Sequence, residues 1–187
     1  MSQAREDARA LVARTTLATL ATISDDGSPL ATLVATADDG TGRPLFLVSG
    51  LSEHTRNLRA RPRASVLFVD EVRGEGGPMD RLRVTLTGEF QFLSDDEAAS
   101  AKATFLAHHP DAERYVALPD FTAARLEIET VRYVGGFARA ATLRLGDYFG
   151  WARTAAGVGA AYIDNASGFS HVVFAENLLT SATTRDR

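Results

Sequence analysis

Apolar and polar residues alternate with the period of a strand over much of the chain, and only short stretches shift to the period of a helix. The clearest alternation is LRVTLTGEFQF, residues 82 to 92. Leu82, Val84, Leu86, Phe90 and Phe92 fall on one face, and Arg83, Thr85, Thr87, Glu89 and Gln91 on the other. Gly88 interrupts the run, as at a bulge or a barrel bend. Five more segments read as strands: TTLATLATI (15 to 23), LATLVATA (30 to 37), PLFLVSG (44 to 50), ASVLFVD (64 to 70) and AARLEIETVRYVGGFARA (123 to 140). They are rich in Thr and in branched or aromatic residues, which suit a pleated surface. SDDGSP joins the first two, because Asp-Gly tolerates the positive φ of a tight hairpin; DDGTGRP makes the next turn.

Helical spacing occurs in residues 3 to 14, where Ala8, Leu11 and Val12 share a face, and in LSEHTRNLRA (51 to 60), which Pro62 stops. Ser94 and Glu97 form a capping box that opens a helix running to Ala107. HHPDAERYVALPD predicts another helical turn, and EVRGEGGPMD (71 to 80) a Gly-rich loop. The pattern predicts a mainly β protein with inserted helices: a six-stranded antiparallel barrel rather than a βαβ sheet. Residues 1 to 150 form that barrel, and residues 151 to 187, small-residue-rich and weakly periodic, form an extension packing on the same domain.

Composition narrows the function. The net charge of −4 argues against a nucleic-acid or membrane-surface binder, which needs a basic surplus. No apolar run approaches the roughly 18 residues that span a bilayer, and the charged start, MSQAREDARALVART, reads as helix rather than signal peptide. Without cysteine there are no disulfides, thiolate metal sites or Cys nucleophile, so a cytoplasmic protein is expected. Lys102 is the one lysine among 20 basic residues, which removes Schiff-base and P-loop chemistry from consideration.

Most short motifs fail their structural tests. GVGAAY (157 to 162) starts like a dinucleotide fingerprint but follows no apolar strand, and GEGGPM carries no P-loop lysine. His54, His108, His109 and His171 show no metal-site spacing. His108 and His109 precede Pro110, where capping of a helix C-terminus is the expected role. The stretch SGLSEHTRN, residues 49 to 57, is different, since it sets Ser49, Ser52, His54, Thr55 and Asn57 where a strand passes into a helix. Ser52 suits an N-cap, and a helix N-terminus with hydroxyls, an imidazole and an amide also suits a phosphate. Both readings stand on the residues alone, with Arg63, Arg83 and Thr85 available to line the same cleft.

Taken in order, LATLATISDDGSPLATLVA, PLFLVSGLSEHTRNLRARPRASVLF, RLRVTLTGEF, FLAHHPDAERYVALPDFTAARLEIETVRYVGGFARA and LRLGDYFG resemble the FMN-binding split barrels related to pyridoxamine 5'-phosphate oxidase. Within them the sequence is most similar to the haem-utilisation, HugZ-type branch. The resemblance implies a split-barrel homodimer with FMN in clefts at the subunit interface. It implies that Thr32 lies along the flavin, that Ser49, Ser52, His54, Thr55 and Asn57 surround the phosphate, and that Arg83 stands on a nearby strand. Where the oxidases carry Arg or Lys, this chain has Thr32 and His54, and it has no counterpart of their C-terminal pyridoxal-binding motif. The resemblance leads to the expectation that the C-terminal domain of longer HugZ-type chains is missing or replaced by residues 151 to 187.

The expected function is therefore an FMN-dependent oxidoreductase that moves a hydride or electrons to an unidentified small-molecule acceptor. The HugZ-type alternative is a haem-binding or haem-degrading protein, with His171 as axial ligand and Arg139 or Arg153 for the propionates. A third reading is a cofactor-free dimeric binding module.

Overall fold

In the computed structural model, residues 2–71, 77–136 and 139–150 are described. The chain opens with α1 (Ser2–Arg14), then β1 (Leu17–Ile23), β2 (Pro29–Ala35), the two-residue β3 (Ala37–Asp38) and β4 (Pro44–Ser49). After α2 (Glu53–Ala60) come β5 (Arg63–Val69), β6 (Arg83–Phe92), α3 (Asp95–His108), α4 (Glu113–Val116), β7 (Phe121–Val134), β8 (Ala140–Leu143) and α5 (Leu145–Phe149). All strand pairs are antiparallel, in the order β2-β1-β5-β6-β7-β4-β3, with β8 added to β7.

The two ends of that order, β2 and β3, are consecutive stretches of one strand. They are separated by Thr36, whose N–H reaches back to the Thr16 carbonyl at 2.9 Å. The sheet therefore curls until a bent strand links its opposite ends, giving the antiparallel half-barrel that the alternation implied. The count of six strands needs correction to eight among the described residues. The stretch 30 to 37 divides at Thr36 into β2 and β3. The single strand expected over 123 to 140 breaks at a hairpin, where Gly136 takes φ +118° and Gly135 N–H bonds the Arg139 carbonyl at 2.8 Å.

Alternation places the core inside the curl. Leu20, Val66, Val84, Leu86, Leu126 and Val131 are fully buried, and each side chain of that size adds roughly 1.5–3 kcal/mol. Phe46 and Phe90 meet across it with ring centroids 4.8 Å apart. Helix α1 closes one side with Ala8, Leu11 and Val12, the three residues that shared its apolar face in the sequence. Helix α3 caps a smaller cluster, setting Ala101 and Phe105 against Leu45, Ala37 and Ala123. Its capping box forms as read, with Ser94 N–H donating to Glu97 Oε2 at 3.4 Å, and Ser94 Oγ also donates to that oxygen at 2.9 Å. The β6–β7 register shifts between Thr87 and Gly88, and a Cβ at Gly88 would collide with the Glu127 carbonyl. That is the bulge expected there.

Candidate functional site

Pairing in register puts opposite residues on one face of the sheet, so β1 and β2 show two different surfaces. Ala18, Leu20 and Thr22 point inward with Val34, Thr32 and Leu30. Leu17, Thr19, Ala21 and Ile23 point outward with Ala35, Leu33, Ala31 and Pro29. Ser65 and Leu67 of β5 and Thr85 and Thr87 of β6 extend the outward face. Among these, Leu33 is 69% exposed, Leu17 46% and Ile23 38%, a largely apolar strip facing solvent.

Helix α2 sits at the inner end of the same strands, and its polar residues are tied into the protein. His54 Nδ1 lies 3.3 Å from Thr32 Oγ1, joining two of the residues singled out in the sequence. Burial removes water from the His54 ring and lowers its pKa from the usual 6.5, so the imidazole is neutral at pH 7. Asn57 is buried, and its Nδ2 donates to Thr22 Oγ1 at 3.1 Å and Ser24 Oγ at 3.4 Å. Thr55 is fully buried with no partner for Oγ1. Ser52 occupies the N-cap, but its side chain makes no capping hydrogen bond.

Ser49, at the end of β4, is held from elsewhere in the chain. Its Oγ donates to Asp120 Oδ2 at 2.6 Å and accepts the Leu51 N–H at 3.1 Å. Asp120 is fixed in turn, because its carbonyl accepts the Gly50 N–H at 2.7 Å and Phe121, next in chain, pairs with Ser49. Sequence reading missed Asp120, which lies far from the corner along the chain and carries no motif.

A cleft of about 510 Å³ opens beside this corner, with Asp25, Asp26 and Glu53 among its lining groups and Arg56 as a cation. Hydrogen bonds from the Ser28 N–H and hydroxyl hold the Asp26 carboxyl below its usual range. Arg56 turns its guanidinium to the Leu51 carbonyl at 2.7 Å, and Arg61 turns to the carbonyls of Ser24 and Asp25.

Arg83 does not join these residues. It pairs in register with Val69 at the far end of β5, whereas Arg63, nearest to α2, pairs with Glu89. Six strand positions separate the two ends, roughly 20 Å. Arg83 instead donates to the Met79 and Arg81 carbonyls, and Arg63 forms an ion pair with Glu129 at 2.6 Å. Within one protomer, strand length thus sets Arg83 and Arg63 at opposite ends of β5 and β6. His108 Nδ1 lies 3.0 Å from the Thr104 carbonyl, in keeping with a role at the helix C-terminus, while His109 Nε2 lies 2.9 Å from the Thr36 carbonyl at the strand bend. Arg139 stands beside the Tyr133 hydroxyl. His171, Arg153 and the extension 151 to 187 lie outside the described residues.

These features test the cofactors directly. A phosphate dianion needs free donors or cations, but Ser49 donates to a carboxylate, Asn57 is buried and bonded, and His54 is neutral. Ser52, whose side chain makes no capping bond, and Thr55 Oγ1, which has no partner, are the hydroxyls left for it, so within the protomer Ser49, Asn57 and His54 do not supply the cationic seat of a phosphate. A flat apolar macrocycle needs an apolar surface and an imidazole with a free nitrogen. The outward strip offers the apolar surface, whereas His54, in contact with the inward-facing Thr32, stands on the other face of these strands.

A curled antiparallel sheet with helices on its inner ends and an open apolar outer strip defines a split-barrel protein. The chain belongs to the CREG β-barrel family, whose model, described as "CREG, beta-barrel", matches residues 1–150. The chain is 36% identical over 115 residues, 62% of its own length, to "Non-canonical heme oxygenase HOZ, chloroplastic" of Arabidopsis thaliana, and spans 34% of that protein. It is 37% identical to the solved structure of a haem-binding protein from Mycobacterium smegmatis, with a TM-score of 0.74, covering 79% of this chain and 60% of that one. The chain thus spans about a third of the curated relative's length. At 14% identity and a TM-score of 0.61, a general stress protein 26-related protein of the pyridoxinephosphate oxidase family, from Clostridium acetobutylicum, shares the fold, over 79% of this chain and 99% of that one. Among the described residues no helix is long and apolar enough to cross a membrane.

Proposed function

We propose that the chain is a haem-handling split barrel of the HugZ type, a homodimer that binds haem at its twofold interface and presents it for degradation. The observation that carries the reading is the outward strip of Leu17, Ile23 and Leu33, open to solvent along β1 and β2. Apolar area of this kind is covered in soluble proteins by a partner or a ligand, and proteins named for haem binding and haem oxygenation are among those similar to this chain. When bound, haem would supply the redox-active iron for such chemistry. This chain's part is to take the macrocycle out of water, place an imidazole nitrogen and neutralise the propionates. His171 is the proposed axial ligand, with Arg139 or Arg153 toward the carboxylates.

Titration of the purified protein with haemin, followed by visible absorption, tests this. A saturable, sharp Soret band that His171→Ala abolishes is the expected result. A spectrum identical to free haemin overturns the reading.

A second reading, an FMN-dependent oxidoreductase with an unidentified electron acceptor, draws on the contact between Thr32 and His54 at the start of α2. It expects bound flavin with quenched fluorescence, weakened by His54→Ala combined with Ser49→Ala. If neither haemin nor FMN binds, a cofactor-free dimeric binding module remains.

A further inference from the structure

We propose that Asp120 is a specificity-determining residue that bars phosphate-bearing ligands from the corner between β4 and α2. The inference rests on the reading that this corner faces the cofactor cleft, but not on which cofactor occupies it.

A serine hydroxyl has one proton to give. That of Ser49 goes to Asp120 Oδ2 at 2.6 Å, and its oxygen is engaged by the Leu51 N–H. A phosphate oxygen arriving at Ser49 therefore meets a carboxylate where it needs a donor. The backbone keeps Asp120 beside Ser49, because the Asp120 carbonyl is bonded to Gly50 N–H and the next residue pairs into the sheet. The charges around it do not compensate. Glu53 stands in the first turn of α2, where it already answers the positive end of the helix dipole. Asp25 and Asp26 line the adjacent cleft, Arg56 and Arg61 are bonded to backbone carbonyls, and Arg59 lies over the Phe92 ring at 4.4 Å. The corner keeps the shape of an anion seat with the opposite charge at its centre. Ligands without a phosphate at that end do not meet this repulsion.

FMN and riboflavin differ only in the phosphate, so their relative affinities read the effect. Flavin fluorescence titrations of the full chain should show FMN bound no better than riboflavin. Asp120→Asn and Asp120→Ala should each raise the FMN-to-riboflavin affinity ratio by about tenfold or more, and added salt should shrink the gain. Far-UV circular dichroism shows whether each variant is folded, and the asparagine variant retains the bulk and a hydrogen bond to Ser49. A wild-type preference for FMN of about tenfold overturns the proposal without any variant. An unchanged ratio in folded variants also overturns it, as does their failure to bind FMN. The haemin spectrum is independent of these outcomes, so failure here leaves the haem reading to its own test.

Discussion

The corner at the start of α2 bonds to the inner face of β1 and β2, whose outer face carries the apolar strip, and the two regions differ in completeness. At the corner, Ser49, Asn57 and His54 are each bonded within the protomer, all three to residues distant in sequence. On the strip, Leu33 and Leu17 touch water while their neighbours Val34 and Ala18 are buried. Polar groups already bonded within the protomer have little left to offer a ligand, whereas exposed apolar area has everything still to gain from one. The comparison teaches that chemistry-bearing residue types are a poorer guide to a binding surface than unmet contacts.

The strongest way to break this contrast is to truncate one leucine on each face. Leu20→Ala, inside, should cost about 2–5 kcal/mol in urea unfolding, and Leu33→Ala, outside, should stay within about 0.5 kcal/mol in a monomeric sample. Leu33→Asp should instead act on assembly, moving the sedimentation coefficient from dimer toward monomer. Equal unfolding costs at the two leucines would mean that the strip is part of the protomer's own core. Next in size, Asn57→Ala removes the donor to buried Thr22 and should cost about 1–3 kcal/mol. No loss of stability there would show that the corner is not held as described.

The smallest expected effect is the pH response of His54. Its folded pKa lies below the unfolded value, so the unfolded chain takes up the proton first as pH falls. Neither state is protonated well above pH 6.5, and stability is lost as pH drops below that value. The urea midpoint of the wild type should therefore fall further than that of His54→Gln between about pH 7.5 and about pH 5.5. Parallel profiles would remove His54 from the half-buried position assigned to it.

Much of the fold could be read from period alone. Alternation in β6 is visible because one face is buried and the other polar, and Ser94 with Glu97 is visible because a capping box is local. The strand ends were harder: Thr36 bends a run that looks continuous, and Gly135-Gly136 makes a hairpin inside another. The candidate site was legible only in part. Thr32 and His54 do meet, yet Asp120 was hidden because nothing in sequence announces a partner brought in by the β4–β7 register. Arg83 shows the converse, since within one protomer a residue on a neighbouring strand can sit at its far end.

Register also sets an order in time. The β1–β2 hairpin closes over a tight turn, and β5 meets β6 across one loop. By contrast, β4–β7 joins residue 45 to residue 125, and only that pairing lets the bent strand tie the sheet's ends together. Loop-closure entropy makes such distant contacts slow to form. A newly made chain thus spends its early life as open hairpins that already display Leu17, Ile23 and Leu33. Refolding yield should consequently depend on protein concentration, with the race between curling and clumping decided before the last strands meet.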